Sequence, residues 1–128
     1  MNILGIDYGM RKAGFAISSG KLSEPLQVFH FKVTVELFEK IKKLVVLHNI
    51  NKIVVGVSEA RTGQATEEFV EKLKTFVEVP IEKADETLST HDAQTLSKEA
   101  NIGQKRRREM EDAFAAAVIL QNYLDRLR

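Results

Sequence analysis

Residues 3–18 read ILGIDYGMRKAGFAIS, two apolar stretches separated by a short polar turn. In the first stretch Ile3, Gly5 and Asp7 fall on one face of an extended chain, and the residues between them fall on the other. The same alternation resumes at residues 13–18. Because the connection is short, the pattern predicts an antiparallel β-hairpin whose first strand ends at Asp7.

The rest of the chain predicts an α/β fold. Residues 53–57 form a continuous, mostly β-branched run, typical of a parallel strand buried on both faces. Two further strands are predicted at residues 26–31 and 80–84. Thr34 and Thr66 are predicted to cap the first two helices, and Ser89 with Asp92 to open a short third one. The last helix is predicted from about residue 107 to residue 127. This order gives a mixed five-stranded sheet with helices on both faces, in a single domain of 128 residues.

Composition excludes several classes of protein. The sequence has no cysteine, which rules out a disulfide framework and a thiolate metal site. No stretch approaches the ~20 apolar residues of a membrane-spanning helix. No apolar run typical of a signal peptide precedes Asp7. We therefore expect a soluble protein of the cytoplasm.

Positive charge is concentrated in one place although the net charge is only +1. Residues 105–108 read KRRR and lie just ahead of the predicted last helix. Cations at a helix N-terminus oppose the helix dipole, so a phosphate backbone would explain their position. The alternative interpretation is a solvated charge run without a partner.

A carboxylate stands at the head of the most apolar helix. Residues 113–120 read AFAAAVIL, so this helix is expected to be covered on every side, with its alanines close to the sheet. Asp112 enters that crowded region, where a carboxylate is costly unless it is paired or bound to a metal ion. The neighbouring Glu111 points about 100° away around the helix.

Two more carboxylates follow predicted strands. Taken singly, Asp7 could accept hydrogen bonds from its turn, and Glu86 could be a solvated loop acid. Sites in open α/β sheets form at the carboxyl ends of strands, so Asp7, Glu86 and Asp112 could converge there. Three carboxylates without histidine or cysteine suit Mg²⁺ or Mn²⁺. Two such ions about 4 Å apart can activate water and stabilise the leaving oxygen of a phosphodiester.

Three motifs in this order resemble those of the YqgF family, relatives of the RuvC Holliday-junction resolvase. They are ILGIDYG with RKAG at residues 3–14, DETLST at residues 85–90, and DAFAA followed by ILQNYL at residues 112–124. The resemblance spans the whole chain. It implies an RNase H-like fold and a divalent-metal-dependent nuclease, with catalytic and metal-binding roles for Asp7, Glu86 and Asp112.

The resemblance also implies a nucleic-acid substrate. The family role is maturation of the 5′ end of pre-16S rRNA or, alternatively, resolution of branched DNA at Holliday junctions. On this basis we expect Lys105, Arg106, Arg107 and Arg108 to contact nucleic acid. Arg11 and Lys12 closely follow Asp7 and could bind a phosphate, or they could be ordinary turn charges.

Two other functions are weighed against the nuclease. An actin-like or sugar-kinase-like nucleotide-binding protein also ends its first strand in Asp-x-Gly, but it needs two lobes, and no Walker-type glycine loop is present. A nucleic-acid-binding module with impaired catalysis is suggested by two departures from the family pattern. Gly56-Val57-Ser58 stands where the family usually has Gly-Leu-Pro, and Thr87 stands where it usually has Arg.

Overall fold

The computed structural model describes residues 1–57, 63–85 and 104–127, with the backbone alone for residues 57, 63, 85 and 104–108. The predicted helix starting at Ser89, together with Ser58, Glu86 and Thr87, lies outside the described residues. The elements in chain order are β1 (Ile3–Tyr8), β2 (Lys12–Ser18), β3 (Ser23–His30), α1 (Thr34–Leu47), β4 (Lys52–Val57), α2 (Gly63–Leu73), β5 (Ile81–Asp85) and α3 (Gln104–Arg126).

One mixed sheet organises these elements, with the strand order β3-β2-β1-β4-β5. β1 and β2 form the predicted antiparallel hairpin, and β3 extends it antiparallel to β2. β4 lies parallel to β1 on its other side, and β5 lies parallel to β4. The predicted five-stranded mixed sheet is therefore confirmed, with β1 at its centre.

Helices cover both faces of the sheet. On one face Leu4, Ile6 and Phe15 belong to a buried cluster that includes side chains of both α1 and α2. On the other face a second buried cluster joins residues of β1, β2, β4 and β5 to α3. The alternation of residues 3–7 thus divides the strand between two separate cores, as the sequence predicts.

β3 begins earlier than predicted. It starts at Ser23 and includes Pro25, which we expected to lie before the strand. Proline is tolerated because β3 is an edge strand, and because the pairing with β2 shifts register between Phe15 and Ala16. A residue without an N–H group can occupy such a position without breaking a central ladder.

The two predicted threonine caps are wrong. α1 begins at Thr34, but its N-cap is Val33, and the Glu36 carboxylate accepts hydrogen bonds from the N–H groups of Lys32 and Val33 at 2.9 and 3.0 Å. α2 begins at Gly63, so Thr66 lies inside the helix, where it is buried. In both helices the first turn extends further towards the N-terminus than apolar spacing alone indicates.

The last helix also begins earlier than predicted. α3 starts at Gln104 rather than at residue 107, so residues 105–108 lie within its first turns and not ahead of it. The expectation for residues 113–120 is confirmed in its main point. Seven of these eight residues are buried, and only Val118 is half-buried.

Candidate active site

Asp7 occupies the centre of the sheet at the carboxyl end of β1. Its backbone pairs with Gly14 of β2 on one side and with Gly56 of β4 on the other. Gly56 in turn pairs with Ala84 of β5. Across β2, β1, β4 and β5, Asp7 is therefore the one residue at this level with a side chain larger than methyl; Val28 of β3 completes the row beyond Gly14. The Asp7 side chain is half-buried.

The face on which Asp7 lies is the face that α3 covers. Gly5, two residues earlier in β1, approaches α3 so closely that an added Cβ would lie 3.0 Å from Leu120 Cβ and 3.1 Å from the Ala116 carbonyl oxygen. Side chains two apart in a strand share a face, so Asp7 lies on the α3 side of the sheet.

Asp112 is placed on the same face by its contact with Gly14. A Cβ added to Gly14 would lie 1.9 Å from the Asp112 carbonyl oxygen and 2.6 Å from the Ala113 nitrogen. The helix backbone thus rests directly on the strand at this point. Because Gly14 is the register partner of Asp7, the structure brings Asp7 and Asp112 to the same level of the same face.

Asp112 has a cationic partner. Its Oδ2 lies 3.1 Å from the Lys12 Nζ, with side-chain exposures of 27% for Asp112 and 51% for Lys12. Lys12 lies two residues before Gly14 in β2 and so shares its face. The sequence predicts that a carboxylate at position 112 needs a cation or a metal ion, and Lys12 supplies the cation. Neither interpretation of Lys12 from the sequence, a phosphate contact or an ordinary turn charge, includes this ion pair.

The other predicted site residues are Arg11, residues 105–108 and Glu86. Arg11 is exposed in the turn before β2, where its carbonyl oxygen accepts a hydrogen bond from the Phe31 N–H group. The backbone of residues 105–108 lies at the start of α3, the end of the helix that also carries Asp112. Glu86 lies outside the described residues, immediately after the last residue of β5 in the sequence.

The donor set suits a hard divalent cation. Asp7 and Asp112 offer carboxylate oxygens, the ligands that Mg²⁺ and Mn²⁺ prefer. Within the described ranges no group of three histidine, cysteine or acidic residues is close enough to hold a metal ion. Of the three predicted ligands, Asp7 and Asp112 lie at one level of one face, and Glu86 lies outside the described residues.

Sequence reasoning missed the roles of the two glycines that flank Asp7. Gly14 lets α3 reach the sheet, and Gly56, the register partner of Asp7 in β4, adds no side chain of its own. A glycine inside a strand often marks the close approach of another backbone or of a ligand, so both positions carried a usable signal. Their register with Asp7 could only come from the folded sheet.

Comparison with known proteins identifies the family. The family model described as "RuvX: Holliday junction resolvase" matches residues 1–126. The chain belongs to the RuvX family. This is the YqgF family that the sequence motifs resemble, so the resemblance is confirmed across almost the whole chain.

RuvX relatives with curated names share about a third of their residues with this chain. A protein of Thermoanaerobacter pseudethanolicus is 37% identical over 98% of this chain and 96% of its own length. A protein of Halothermothrix orenii is 34% identical over 98% of this chain and 95% of its own. Both bear the name "Putative pre-16S rRNA nuclease". This RuvX chain is accordingly a nuclease, a hydrolase that cleaves phosphodiester bonds in nucleic acid.

Solved structures confirm the RNase H-like fold of this RuvX chain. The fowlpox virus Holliday junction resolvase matches with a TM-score of 0.66 at 12% identity, covering all of both chains. RuvC of T. thermophilus, solved in complex with a Holliday junction substrate, matches with a TM-score of 0.63 at 12% identity over 99% of this chain and 96% of its own.

Proposed function

We propose that this protein processes the 5′ end of pre-16S rRNA, with Asp7, Glu86 and Asp112 as its catalytic carboxylates and metal ligands. The observation that carries the assignment is the position of Asp7 between Gly14 and Gly56, with the Asp112 backbone resting on Gly14. This packing brings the two residues to one level of one face of the sheet, near the carboxyl ends of the parallel strands β1 and β4, where sites in α/β sheets form.

The proposed metal is Mg²⁺ or Mn²⁺, held by Asp7 and Asp112 together with Glu86. Such an ion supplies an activated water and charge stabilisation at the scissile phosphate. The fold of the chain would hold the two carboxylate residues in place. β1 fixes Asp7 through pairing on both sides, and the contact with Gly14 fixes Asp112.

The proposed substrate contacts lie beside this site. Residues 105–108 belong to the same end of α3 as Asp112, so their cations would act on phosphates that flank the cleavage point. Arg11, exposed in the adjacent turn, would act in the same way. The substrate itself follows from the names of the relatives, and processing of rRNA would place the protein in the cytoplasm.

A second candidate function is the resolution of Holliday junctions. It is favoured by the description of the matching family and by the DNA complex of the RuvC structure with the same fold. Both functions use one carboxylate site and one chemistry. They differ in whether the basic residues accommodate an RNA precursor or a four-way DNA junction.

The test is a cleavage assay with Mg²⁺ or Mn²⁺ on two substrates, a pre-16S rRNA fragment containing the 5′ boundary and a four-way DNA junction. Wild type is expected to cleave the RNA. Asp7→Asn and Asp112→Asn should each lower the rate by about a hundredfold or more, the usual scale for a group that stabilises transition-state charge. Both variants should still bind the RNA.

The matched control is Asp125→Asn, a change of the same kind near the opposite end of α3. It should leave the rate unchanged. Cleavage that persists in Asp7→Asn would refute the site assignment. Cleavage of the DNA junction alone would favour the second function, and binding of either substrate without metal-dependent cleavage would identify a module with impaired catalysis.

A further inference from the structure

Lys12 makes a contact that binding of phosphate alone does not explain. It is a cation whose Nζ lies 3.1 Å from a proposed metal ligand, Asp112, in the described part of the chain. Sheet geometry puts it there, because Lys12 and Gly14 share a face of β2 and the Asp112 backbone rests on Gly14. An ammonium group therefore occupies one side of the carboxylate that would receive a divalent ion.

The exposures of the two groups make this pair reversible. The Lys12 side chain is 51% exposed and the Asp112 side chain 27%, and ion pairs at such exposure are weak. A lysine ammonium sits on a flexible four-carbon stem and can change partners without moving the backbone. A divalent cation carries twice the charge and would take the carboxylate from it. The released ammonium would remain beside the site, at the entrance to solvent.

We propose that Lys12 is an exchangeable counter-ion of Asp112. Before metal binds, it neutralises the Asp112 carboxylate and holds it in the orientation seen here. When a divalent ion takes that carboxylate, the Lys12 ammonium transfers to a phosphate oxygen of the substrate. Lys12 is thus a positioning residue that couples metal loading to substrate binding, and this inference rests on the proposed function.

The first measurement is Mn²⁺ binding to the protein without nucleic acid, by calorimetry or by the electron paramagnetic resonance signal of free Mn²⁺. Lys12→Met removes the competing charge, so Mn²⁺ should bind roughly threefold tighter or more. Lys12→Arg keeps the charge and should bind Mn²⁺ as wild type does or more weakly. Lys42→Met removes an equal charge from α1 on the other face and should change nothing, because salt screens beyond about 10 Å.

The second measurement separates competition at Asp112 from general electrostatics. In an Asp112→Asn background, Lys12→Met should give a clearly smaller gain in Mn²⁺ affinity than in wild type. In cleavage assays at saturating Mn²⁺, Lys12→Met should raise the KM for RNA about tenfold, and Lys12→Arg should recover most of that loss. A structural role alone would lower the melting temperature and leave the Mn²⁺ affinity unchanged.

The outcomes distinguish this inference from the proposed function. If wild type binds no Mn²⁺ and cleaves nothing, the metal-dependent nuclease site itself is wrong. If wild type binds Mn²⁺ and cleaves, but Lys12→Met leaves the affinity unchanged or weakens it, only the role of Lys12 is overturned. An equal gain in the Asp112→Asn background would also overturn it, because the effect would not then depend on the pair.

Discussion

At the scale of single residues, the site depends on the absence of a side chain at Gly14. Asp7 and Asp112 are separated by 105 positions in the sequence, and the missing side chain of Gly14 is what brings them to one place. Every other residue of β2 carries a Cβ atom. At Gly14 a methyl group would overlap the backbone of Asp112 and Ala113, which cannot rotate away as a flexible side chain can.

Gly14→Ala is therefore expected to destabilise the protein by about 1–3 kcal/mol, the usual cost of overpacking, and to weaken Mn²⁺ binding because Asp112 must move. Gly5→Ala is the matched comparison, since its Cβ would come no closer than 3.0 Å to Leu120 Cβ. It should cost less and leave Mn²⁺ binding almost unchanged. Urea unfolding gives the free energies, and equal losses in the two variants would contradict this account.

At the scale of elements, α3 carries Asp112 in its N-terminal half, and hydrogen bonds hold its C-terminal half to the sheet. The Tyr123 hydroxyl accepts a hydrogen bond from the Lys52 Nζ at 2.9 Å, and that Nζ also lies 3.4 Å from Glu82 Oε1. Ser23 adds two hydrogen bonds, its hydroxyl to the Ala117 carbonyl at 2.6 Å and its N–H group to Gln121 at 3.0 Å. These contacts fix where α3 lies along the sheet.

The pKa values of the charged pair at this end predict how stability depends on pH. The hydrogen bond from Tyr123 lowers the pKa of Glu82 below its ordinary value, and the hydrogen bond to Tyr123 raises the pKa of Lys52. The Glu82 contribution to stability is present above pH 4.5, and it is lost as the pH falls through the lowered pKa of the folded state. The Lys52 contribution is present below pH 10.5, and it is lost as the pH rises through the raised pKa.

Tyr123→Phe removes the hydroxyl that links the two charges. We expect it to lower the free energy of unfolding by about 0.5–1.5 kcal/mol near pH 7, the net value of one hydrogen bond. The loss in stability should be smaller below the lowered pKa of Glu82 and above the raised pKa of Lys52, because the wild-type network is itself lost at those pH values. Urea unfolding across the pH series measures both effects, and a loss independent of pH would show that only packing had changed.

At the scale of the whole molecule, charge is distributed unevenly. The net charge is only +1, so long-range attraction to nucleic acid is weak and local cations must supply affinity. The KRRR run in the first turns of α3 is the strongest concentration of such cations in the sequence.

Among the helices of the described ranges, none has the length and apolar character that crossing a membrane requires.

Changing residues 105–108 together to glutamine should weaken RNA binding. The slope of log Kobs against log salt should become shallower by about 0.7 per lost phosphate contact on single-stranded RNA. The control changes four exposed lysines associated with the other face of the sheet, Lys32, Lys42, Lys43 and Lys72, and removes the same total charge. An equal change of slope in the control would assign the effect to net charge and not to the basic run.

Local patterning determined much of this protein. Alternation over residues 3–18 specified the hairpin and the division of its side chains between two faces, because the side-chain period of a strand is two. The apolar run at residues 113–120 specified a covered helix. Helix starts were predicted poorly. Glu36 caps α1 through its side chain, and the extra turn of α3 is polar, so apolar periodicity could not register either feature.

The arrangement around Asp7 was decided only by the tertiary structure. The sequence named Asp7 and Asp112 as candidates, but no local pattern aligns Gly14 and Gly56 with Asp7, because register between strands is a long-range property. Likewise, the sequence required a cation or a metal ion for Asp112 without identifying Lys12. That partner depends on how closely a helix can approach a strand, which is set by the absence of one Cβ atom at Gly14.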